Sequence, residues 1–264
     1  MTGLLALWPR AWSRERRSAA TIAAAGLLLV VLMWSLGRIL SLAPEPIGGA
    51  AQQFAEGTLV TLELTVVSGL LGVLFGLLAA VSRMSALPPL RWAAGFYIWS
   101  IRGTPLLVQI FFTFFALPEL VPGLQLSDFN SAAAALAINV GAYNAEAIRS
   151  GIQAVAKGQT EAARSLGLSP LQTFVHVVAP QGIKIALPPL VNNVVALLKD
   201  TSLAYGIGVV ELSNVGNRLQ AATFLPVPIL VTTAIIYLVL TSVLTQVSGA
   251  IEHRLDVEQR HEPH

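Results

Sequence analysis

Residues 158–190 read GQTEAARSLGLSPLQTFVHVVAPQGIKIALPPL, and this stretch is the most informative part of the chain. Its first half predicts a short helix over residues 161–166, which include three good helix formers in a row. Glu161 is expected in the first turn, where its negative charge meets the helix dipole favourably. Gly167 predicts the end of this helix, because glycine adopts the left-handed backbone of a C′ position at little steric cost.

A second short helix is expected after the glycine. Ser169 is its predicted N-cap, Pro170 suits the first helical position, and Gln172 completes a Ser-x-x-Gln capping box. The helix is predicted to end before Pro180, since proline lacks the N–H that a helix interior needs. Residues 156–182 are therefore expected to form a compact helix, turn and helix between two longer apolar segments.

The apolar segments on both sides are long enough to cross a bilayer. Of the 264 residues, 55% are hydrophobic and 11% are charged, less than half the roughly 25% of soluble domains. A spanning helix needs about 20 apolar residues. Five runs meet this on hydropathy alone, and a sixth is interrupted by prolines, asparagines and charges. The predicted spans are 19–37, 57–82, 92–117, 131–155, 183–209 and 226–250, which predicts an all-α polytopic membrane protein with six transmembrane helices.

The positions of Lys and Arg predict the orientation, because basic loops stay on the cytoplasmic side. With six spans and the N-terminus inside, Arg38 and Arg218 lie outside, and Arg102, Arg149 and Lys199 fall within spans. Both termini and the helix, turn, helix are then cytoplasmic. The basic residues expected inside are Arg10, Arg14, Arg16, Arg17, Arg83, Arg91, Lys157, Arg164, Lys184, Arg254 and Arg260.

The first apolar run has a second interpretation as a cleaved secretory signal. Basic residues precede it, and Ser41 and Ala43 form a small-residue pair like that of a cleavage site. However, the run is longer than the roughly 7 to 15 residues of a typical signal core, and Pro44 would follow the cut directly. A retained helix is the expectation.

The sequence lacks the residues that several kinds of functional site require. There is no cysteine, which excludes disulfides, thiolate metal sites and a cysteine nucleophile. No G-x-x-x-x-G-K-[ST] phosphate loop is present. His176 has no partner at metal-ligand spacing, and the other histidines lie in the C-terminal tail, so neither a metal site nor an intramembrane hydrolase is expected. The formal charge of +2 gives no reason to expect nucleic acid as a partner.

The corner resembles the EAA loop of ABC importer permeases. The resemblance rests on the pattern E-A-A, three residues, Gly, nine residues and I-x-L-P, with departures at Val177 and Ala179 where Ile and Leu are usual. Other segments are similar to the polar amino-acid branch of these permeases: RGTPLLVQ at 102–109, AYNAEAIRSGI at 142–152 and LLKDTSLA at 197–204. The residues that carry the EAA pattern are Glu161, Ala162, Ala163, Gly167 and Pro180.

The resemblance implies a type I permease core over 51–252 with a coupling loop at 156–182. Residues 1–50 would add a cytoplasmic segment and an extra transmembrane helix, and 253–264 a cytoplasmic tail. Such a subunit is not an enzyme and lies in the bacterial inner membrane. Its implied partners are ABC ATPase subunits that hold ATP and Mg, a second permease, identical or related, and an external solute-binding protein. The implied coupling residues are Glu161, Ala162, Ala163 and Gly167.

The implied function is inward transport of a polar amino acid or similar small solute. A secondary transporter or channel for a small polar solute remains the alternative, and it would need no ATPase.

Ionisable residues within spans are expensive unless they face a polar interior or a partner. Glu146, accompanied by Tyr143 and Asn144, either faces a solute path or pairs with Arg149 three residues on. Arg102 either stabilises a helix turn opened by Pro105 or attracts a carboxylate in transit. Three further charged residues either line the solute path or have a structural role: Lys199, Asp200 and Glu63.

One glycine pair is expected to be structural. Gly72 and Gly76 form a G-x-x-x-G motif, which lets two helices approach closely.

Overall fold

The computed structural model describes residues 4–9 and 11–259, so Arg10 and Arg260 of the charge count lie outside the described residues. Within these ranges the chain is helical and has no β-strand. Short 3₁₀ segments (Leu4–Leu7, Gly48–Ala50, Thr201–Ile207) and π-helical turns (Phe112–Ala116, Phe174–Val178) join the α-helices. The α-helices are α1 (Arg14–Leu40), α2 (Ala51–Met84), α3 (Pro88–Arg102), α4 (Leu106–Phe111), α5 (Leu117–Leu120), α6 (Asp128–Gln153), α7 (Lys157–Ser165), α8 (Pro170–Thr173), α9 (Ala179–Asp200), α10 (Leu212–Thr223) and α11 (Pro226–Gln259).

Four helical segments of the described chain are long and apolar enough to cross a membrane: Glu15–Leu40, Ala51–Met84, Pro170–Ile207 and Pro226–Arg254. A fifth span results if Pro88–Arg102 and Leu106–Leu120, which are separated by a break, count as one. Helix α6 is long enough, but its many alanines and its asparagines make it less apolar than the others. The number of six transmembrane helices therefore stays a prediction.

The helix break after α3 lies where the sequence places Gly103, Thr104 and Pro105. The backbone N–H of Gly103 still donates to the Trp99 carbonyl, at 3.0 Å, and α4 begins again at Leu106. Proline has no N–H to continue the ladder, so the interruption expected from Pro105 is present.

The helices fall into two compact units, and the first contains Met1–Ser68, Leu106–Leu136 and Val195–His264. Here α1 lies along α11. The buried side chains of its main hydrophobic cluster come from the first and last parts of the chain and include Leu36 of α1, so the predicted extra helix is packed into this unit. Its core includes Leu36, Phe54, Leu198, Leu212, Ile229 and Leu240.

The second unit contains Gly69–Pro105 and Ala137–Val194. In it α2 and α6 touch at Gly76, where an added β-carbon would lie 2.6 Å from Cβ of Asn144. Gly72 faces Val140 in the same way. The close helix approach predicted from the G-x-x-x-G motif is confirmed.

Two predicted helix limits in this unit are wrong. Helix α7 begins at Lys157, so Glu161 does not lie in its first turn; the connection from α6 is only three residues long, and Ala156 caps the helix without a side-chain bond. The second helix does not end before Pro180. A π-turn, in which Ala179 N–H donates to the Phe174 carbonyl five residues back, carries the helix past the proline into α9.

Candidate functional site

Gly167 ends α7 in the predicted left-handed conformation, with φ of 85°. The backbone N–H of Leu168 donates to the Ala163 carbonyl at 3.2 Å, which closes the last turn of the helix. Any other residue would be strained at this φ. The direction in which the chain leaves α7 therefore depends on this glycine.

The predicted capping box at the start of α8 is also present. Ser169 Oγ accepts a hydrogen bond from Gln172 N at 3.2 Å, and Ser169 N donates to Gln172 Oε1 at 2.9 Å. Pro170 occupies the first helical position. Both sides of the turn are thus held by local bonds, so the corner has a defined shape.

The corner, defined as residues 157–178, exposes several of its predicted functional residues. Glu161, Ala162 and Gly167 are exposed, whereas Ala163 is only 6% exposed and faces into the chain. Leu166 and Leu171 are 81% and 71% exposed, and sequence reasoning missed both. The signal that could have identified them is the presence of leucines on both sides of a turn in a segment predicted to lie outside the membrane.

One continuous helical segment connects the corner with the membrane-spanning part of the second unit. It starts at Pro170, passes through the π-turn and continues as α9. From Pro170 to Asn193 it measures about 34 Å at 1.5 Å per residue. The corner and the residues up to Asn193 therefore belong to one helical segment, which contains a π-turn and the two internal prolines Pro188 and Pro189.

This helix forms one wall of an open cavity of about 470 Å³. The opposite side carries Arg102, Tyr143 and Glu146, three of the residues predicted for a solute path. The wall from α9 includes Ile185, Pro189 and Asn193. The cavity thus brings Arg102 together with Tyr143 and Glu146, which lie about forty residues later in the chain.

The charged groups of the cavity have partners within the same unit. Arg149 Nε donates to Glu146 Oε2 at 3.0 Å, and a second contact joins Arg149 Nη2 to Glu146 Oε1. The guanidinium of Arg102 lies 5.2 Å from the ring centre of Tyr143, a cation–π distance. The predicted pairing of Glu146 with Arg149 is present, and Glu146 nevertheless lines the cavity.

Asn144 lies behind this surface. It is 1% exposed, and its Oδ1 accepts a hydrogen bond of 2.9 Å from Nδ2 of Asn193. Its contact with the cavity is therefore indirect, through Asn193.

The remaining predicted charges belong to the first unit. Lys199 is exposed and Asp200 half-buried at the end of α9, where the α-helix changes to the 3₁₀ segment Thr201–Ile207. The regular α-helix therefore ends at Asp200. Glu63 is exposed on α2.

Glu211 is a buried acid that sequence reasoning did not single out. It has no exposed surface, and its carboxylate accepts bonds from Asn214 N at 2.8 Å, Ser213 N at 2.9 Å and Tyr237 Oη at 2.8 Å. Thr61 Oγ1 adds a longer contact of 3.4 Å. Burial raises the pKa of Glu211 above its ordinary value of 4.5, although each of these hydrogen bonds lowers it. This carboxylate caps α10 and ties it to α2 and α11.

A metal centre has no support in the described part of the chain. No group of three or more His, Asp or Glu side chains lies close enough there to hold a metal ion.

Residues 72–257 match the protein-family model described as binding-protein-dependent transport system inner membrane component. The chain is 39% identical over 201 residues to the L-cystine transport system permease protein TcyB of Bacillus subtilis, covering 76% of this chain and 85% of that one. It is 36% identical to the arginine transport system permease protein ArtQ of Bacillus subtilis (76% and 91% covered). It is 37% identical to the glutamine transport system permease protein GlnP of Escherichia coli (76% and 92%).

The similar solved structures are also of ABC transporters. The crystal structure of an amino acid ABC transporter with histidines superimposes with a TM-score of 0.74 at 38% identity, covering 78% of this chain and 95% of that chain. An inward-facing structure of the MetNI methionine ABC transporter has a TM-score of 0.67 at 17% identity, with 81% and 99% covered. The second likeness is one of fold alone.

Proposed function

Since this chain belongs to the family of binding-protein-dependent transport system inner membrane components, we propose that it is the permease subunit of an ABC importer that moves an amino acid or similar small polar solute inward. Family members of this kind are transport subunits, and the ATPase is a separate subunit. The relatives at 36–39% identity carry names of cystine, arginine and glutamine permeases, which supports an amino acid as the solute.

The observation that carries this proposal is the helical segment from Pro170 to Asn193, which joins the exposed corner to the cavity. An importer of this type must convert an event on one side of the membrane into a change of access to a solute site. A continuous helix performs that conversion because its ends cannot move independently over about 34 Å.

The corner is the proposed docking site for the ATPase. Its exposed leucines, Leu166 and Leu171, offer apolar area that lies outside the lipid in the predicted orientation, and Glu161 adds a charge beside them. Burial of a leucine against a partner contributes about 1.5–3 kcal/mol. Ala162 leaves room for close approach, while the buried Ala163 and the left-handed Gly167 fix the shape of the corner. ATP and Mg belong to the partner.

The cavity is the proposed solute path. An amino acid carries an ammonium and a carboxylate, and the cavity wall offers Glu146 to the first and Arg102 to the second. Tyr143 holds the Arg102 guanidinium by its ring face and so orients it towards a ligand. Asn193 adds a neutral polar group from α9, the helix that the corner would move.

The transport cycle follows alternating access. ATP binding draws two ATPase subunits together and pulls on the corner, which opens the path outward; hydrolysis resets it. A second permease, identical or related, completes the path, and an external binding protein delivers the solute. Both termini and the corner face the cytoplasm in the orientation that the basic residues favour.

The test is reconstitution of the chain in liposomes with the ATPase that co-purifies with it and with the binding protein. Labelled arginine, glutamine and cystine serve as probes, and calorimetry on the binding protein identifies which of them is the ligand. We expect uptake only when ATP is present on the ATPase side. Uptake that follows an ion gradient without nucleotide would overturn the proposal and support the secondary transporter instead.

A further inference from the structure

We propose that the α2–α3 hairpin carries a binding site for the phosphate group of an anionic phospholipid. The site is a cavity of about 390 Å³ formed by the end of α2 and by α3 from Arg91 to Trp99. It contains two guanidinium groups and three aromatic rings, and it is distinct from the cavity of Arg102 and Glu146. Its lining residues are Arg83, Arg91, Trp92, Gly95, Phe96 and Trp99.

The two arginines are available to a ligand. Both are exposed, and neither guanidinium has a hydrogen bond or an ion pair within 4 Å among the described residues. Glu146 interacts electrostatically with Arg83. However, its carboxylate is hydrogen-bonded to Arg149 and not to Arg83. The hairpin thus presents two positive charges that its own side chains leave unpaired, and an anion is the ligand that such a site favours.

Gly95 leaves the space that one guanidinium occupies. A β-carbon at this position would lie 3.4 Å from Cζ and 3.5 Å from Nε of Arg83. The guanidinium of Arg83 therefore lies against the bare backbone of α3, on the helix that also carries Arg91. Two guanidinium groups that line one cavity can each donate two hydrogen bonds to the oxygens of a phosphodiester.

The aromatic rings indicate that the anion is part of a lipid. Trp92, Phe96 and Trp99 are 76%, 67% and 72% exposed, and a water-filled phosphate site would not surround its ligand with exposed apolar rings. Tryptophan beside arginine at the end of a spanning helix is typical of the bilayer interface, where the ring meets the acyl chains and the cation meets the headgroups.

A second cavity on the same helix pair fits the acyl chain. It measures about 520 Å³ and is almost wholly apolar, with walls from Phe75, Leu78, Leu90, Ala94 and Tyr97. The hairpin thus offers a cationic cavity for a phosphate and an apolar one for hydrocarbon. This combination fits a glycerophospholipid whose net charge is negative better than a zwitterionic one, because a singly charged anionic lipid neutralises one of the two arginine charges and a zwitterionic lipid neutralises neither.

The test uses the full chain in detergent and native mass spectrometry to compare phosphatidylglycerol with phosphatidylcholine of the same acyl chains. We expect the wild-type chain to prefer phosphatidylglycerol. The double variant Arg83→Gln/Arg91→Gln should lose about thirtyfold of that preference, and each single variant about fivefold, as expected for one cation each at a bilayer surface. Both side chains are exposed, so the fold is not at risk, and an unchanged melting temperature verifies this.

The matched control is Arg38→Gln. Arg38 also lies beside a tryptophan, with Cζ 4.3 Å from the Trp34 ring centre, but without the second arginine. It should keep the lipid preference. Equal binding of the two lipids by the wild-type chain would overturn the proposal, as would an equal effect of Arg38→Gln and the double variant. Displacement of the lipid by millimolar inorganic phosphate would assign the site to free phosphate instead. None of these outcomes depends on the solute or on the ATPase.

Discussion

Gly151 of α6 lies directly against Gly182 of α9: a β-carbon on Gly151 would sit 2.5 Å from the Gly182 carbonyl oxygen and 2.8 Å from Cβ of Ala186. A β-carbon on Gly182 would sit 2.8 Å from Cα of Ile152. Two backbones touch here, just where α9 leaves the corner. The position of the corner relative to α6 therefore depends on these two glycines.

Gly151→Ala should destabilise the protein and impair transport together. The added methyl meets backbone on the other helix, so relief requires separating the helices; overpacking of this kind costs about 1–3 kcal/mol. We expect the melting temperature in detergent to fall by about 2–4 °C for each kcal/mol. Gly26→Ala in α1 is the control, because nothing lies within 4 Å of its added carbon. Equal melting temperatures for the two variants would contradict the close contact.

Glu161→Ala and Gly167→Ala should separate ATP hydrolysis from uptake while the complex still assembles. Alanine in the left-handed conformation of Gly167 costs roughly 1–2 kcal/mol and redirects the chain after α7. We expect ATPase activity to persist and solute uptake per ATP to fall at least about tenfold. Gly123→Ala is the matched control, since Gly123 has φ of 87° outside the corner and open space around it. Unimpaired uptake in both corner variants would refute a coupling role.

Leu171→Ser should weaken binding of the ATPase. The leucine is 71% exposed in the free chain, and its burial against a partner is worth about 1.5–3 kcal/mol, equivalent to about ten- to a hundredfold in affinity. A binding titration of the ATPase against the detergent-solubilised permease measures this. Leu42→Ser, at a leucine 87% exposed between α1 and α2, is the control. If both substitutions change the affinity equally, Leu171 does not contact the ATPase.

Glu146→Gln and Arg149→Gln together distinguish a solute contact from a structural tether. Both remove the ion pair, which is partly exposed and worth up to about 1 kcal/mol, so both should lower the melting temperature slightly. Only Glu146→Gln removes the carboxylate from the cavity. We expect it to raise the KM of uptake at least about tenfold, while Arg149→Gln stays near the wild-type KM. An equal rise in both variants would mean that the pair acts only as a tether.

Local chemistry made the corner predictable. The left-handed Gly167 and the Ser169–Gln172 capping box depend on residues within a few positions of each other, and both are present as expected. The end of the second helix depends on more than its residues. Proline at position 180 normally stops a helix, but a π-turn removes the need for its N–H. Sequence patterns do not indicate such a turn.

The cavity was predictable only as a set of separate residues. The sequence identified Arg102, Tyr143 and Glu146 because charges and polar groups in apolar runs are costly, but not that they share one cavity with α9. Glu211 was not identified because its contacts, too, depend on residues that are distant in the chain. Its partner Thr61 lies 150 residues earlier in the chain, and a single glutamate between apolar residues looks like an ordinary loop acid.

Glu211→Gln should change how stability depends on pH. Because burial raises the pKa of Glu211 in the folded protein, the unfolded chain releases this proton first as pH rises past about 4.5. The contribution of Glu211 to the free energy of unfolding is therefore full below pH 4.5 and is lost as pH rises through the folded pKa. Glutamine has nearly the same shape and no charge to lose. Like a protonated glutamic acid, it keeps one full acceptor oxygen, so it accepts from only one of the backbone N–H groups of Ser213 and Asn214.

We therefore expect the variant to resemble the wild-type protein at pH 4 and to become the more stable of the two as pH rises towards 7. Melting temperatures of both proteins at several pH values in one detergent measure the difference, at about 2–4 °C for each kcal/mol. Glu56→Gln is the control, because Glu56 is an exposed acid on α2 bonded to Gln52 at 2.8 Å. A wild-type protein that gains stability over Glu211→Gln as pH rises would mean that its four hydrogen bonds outweigh burial and hold the folded carboxyl ionised.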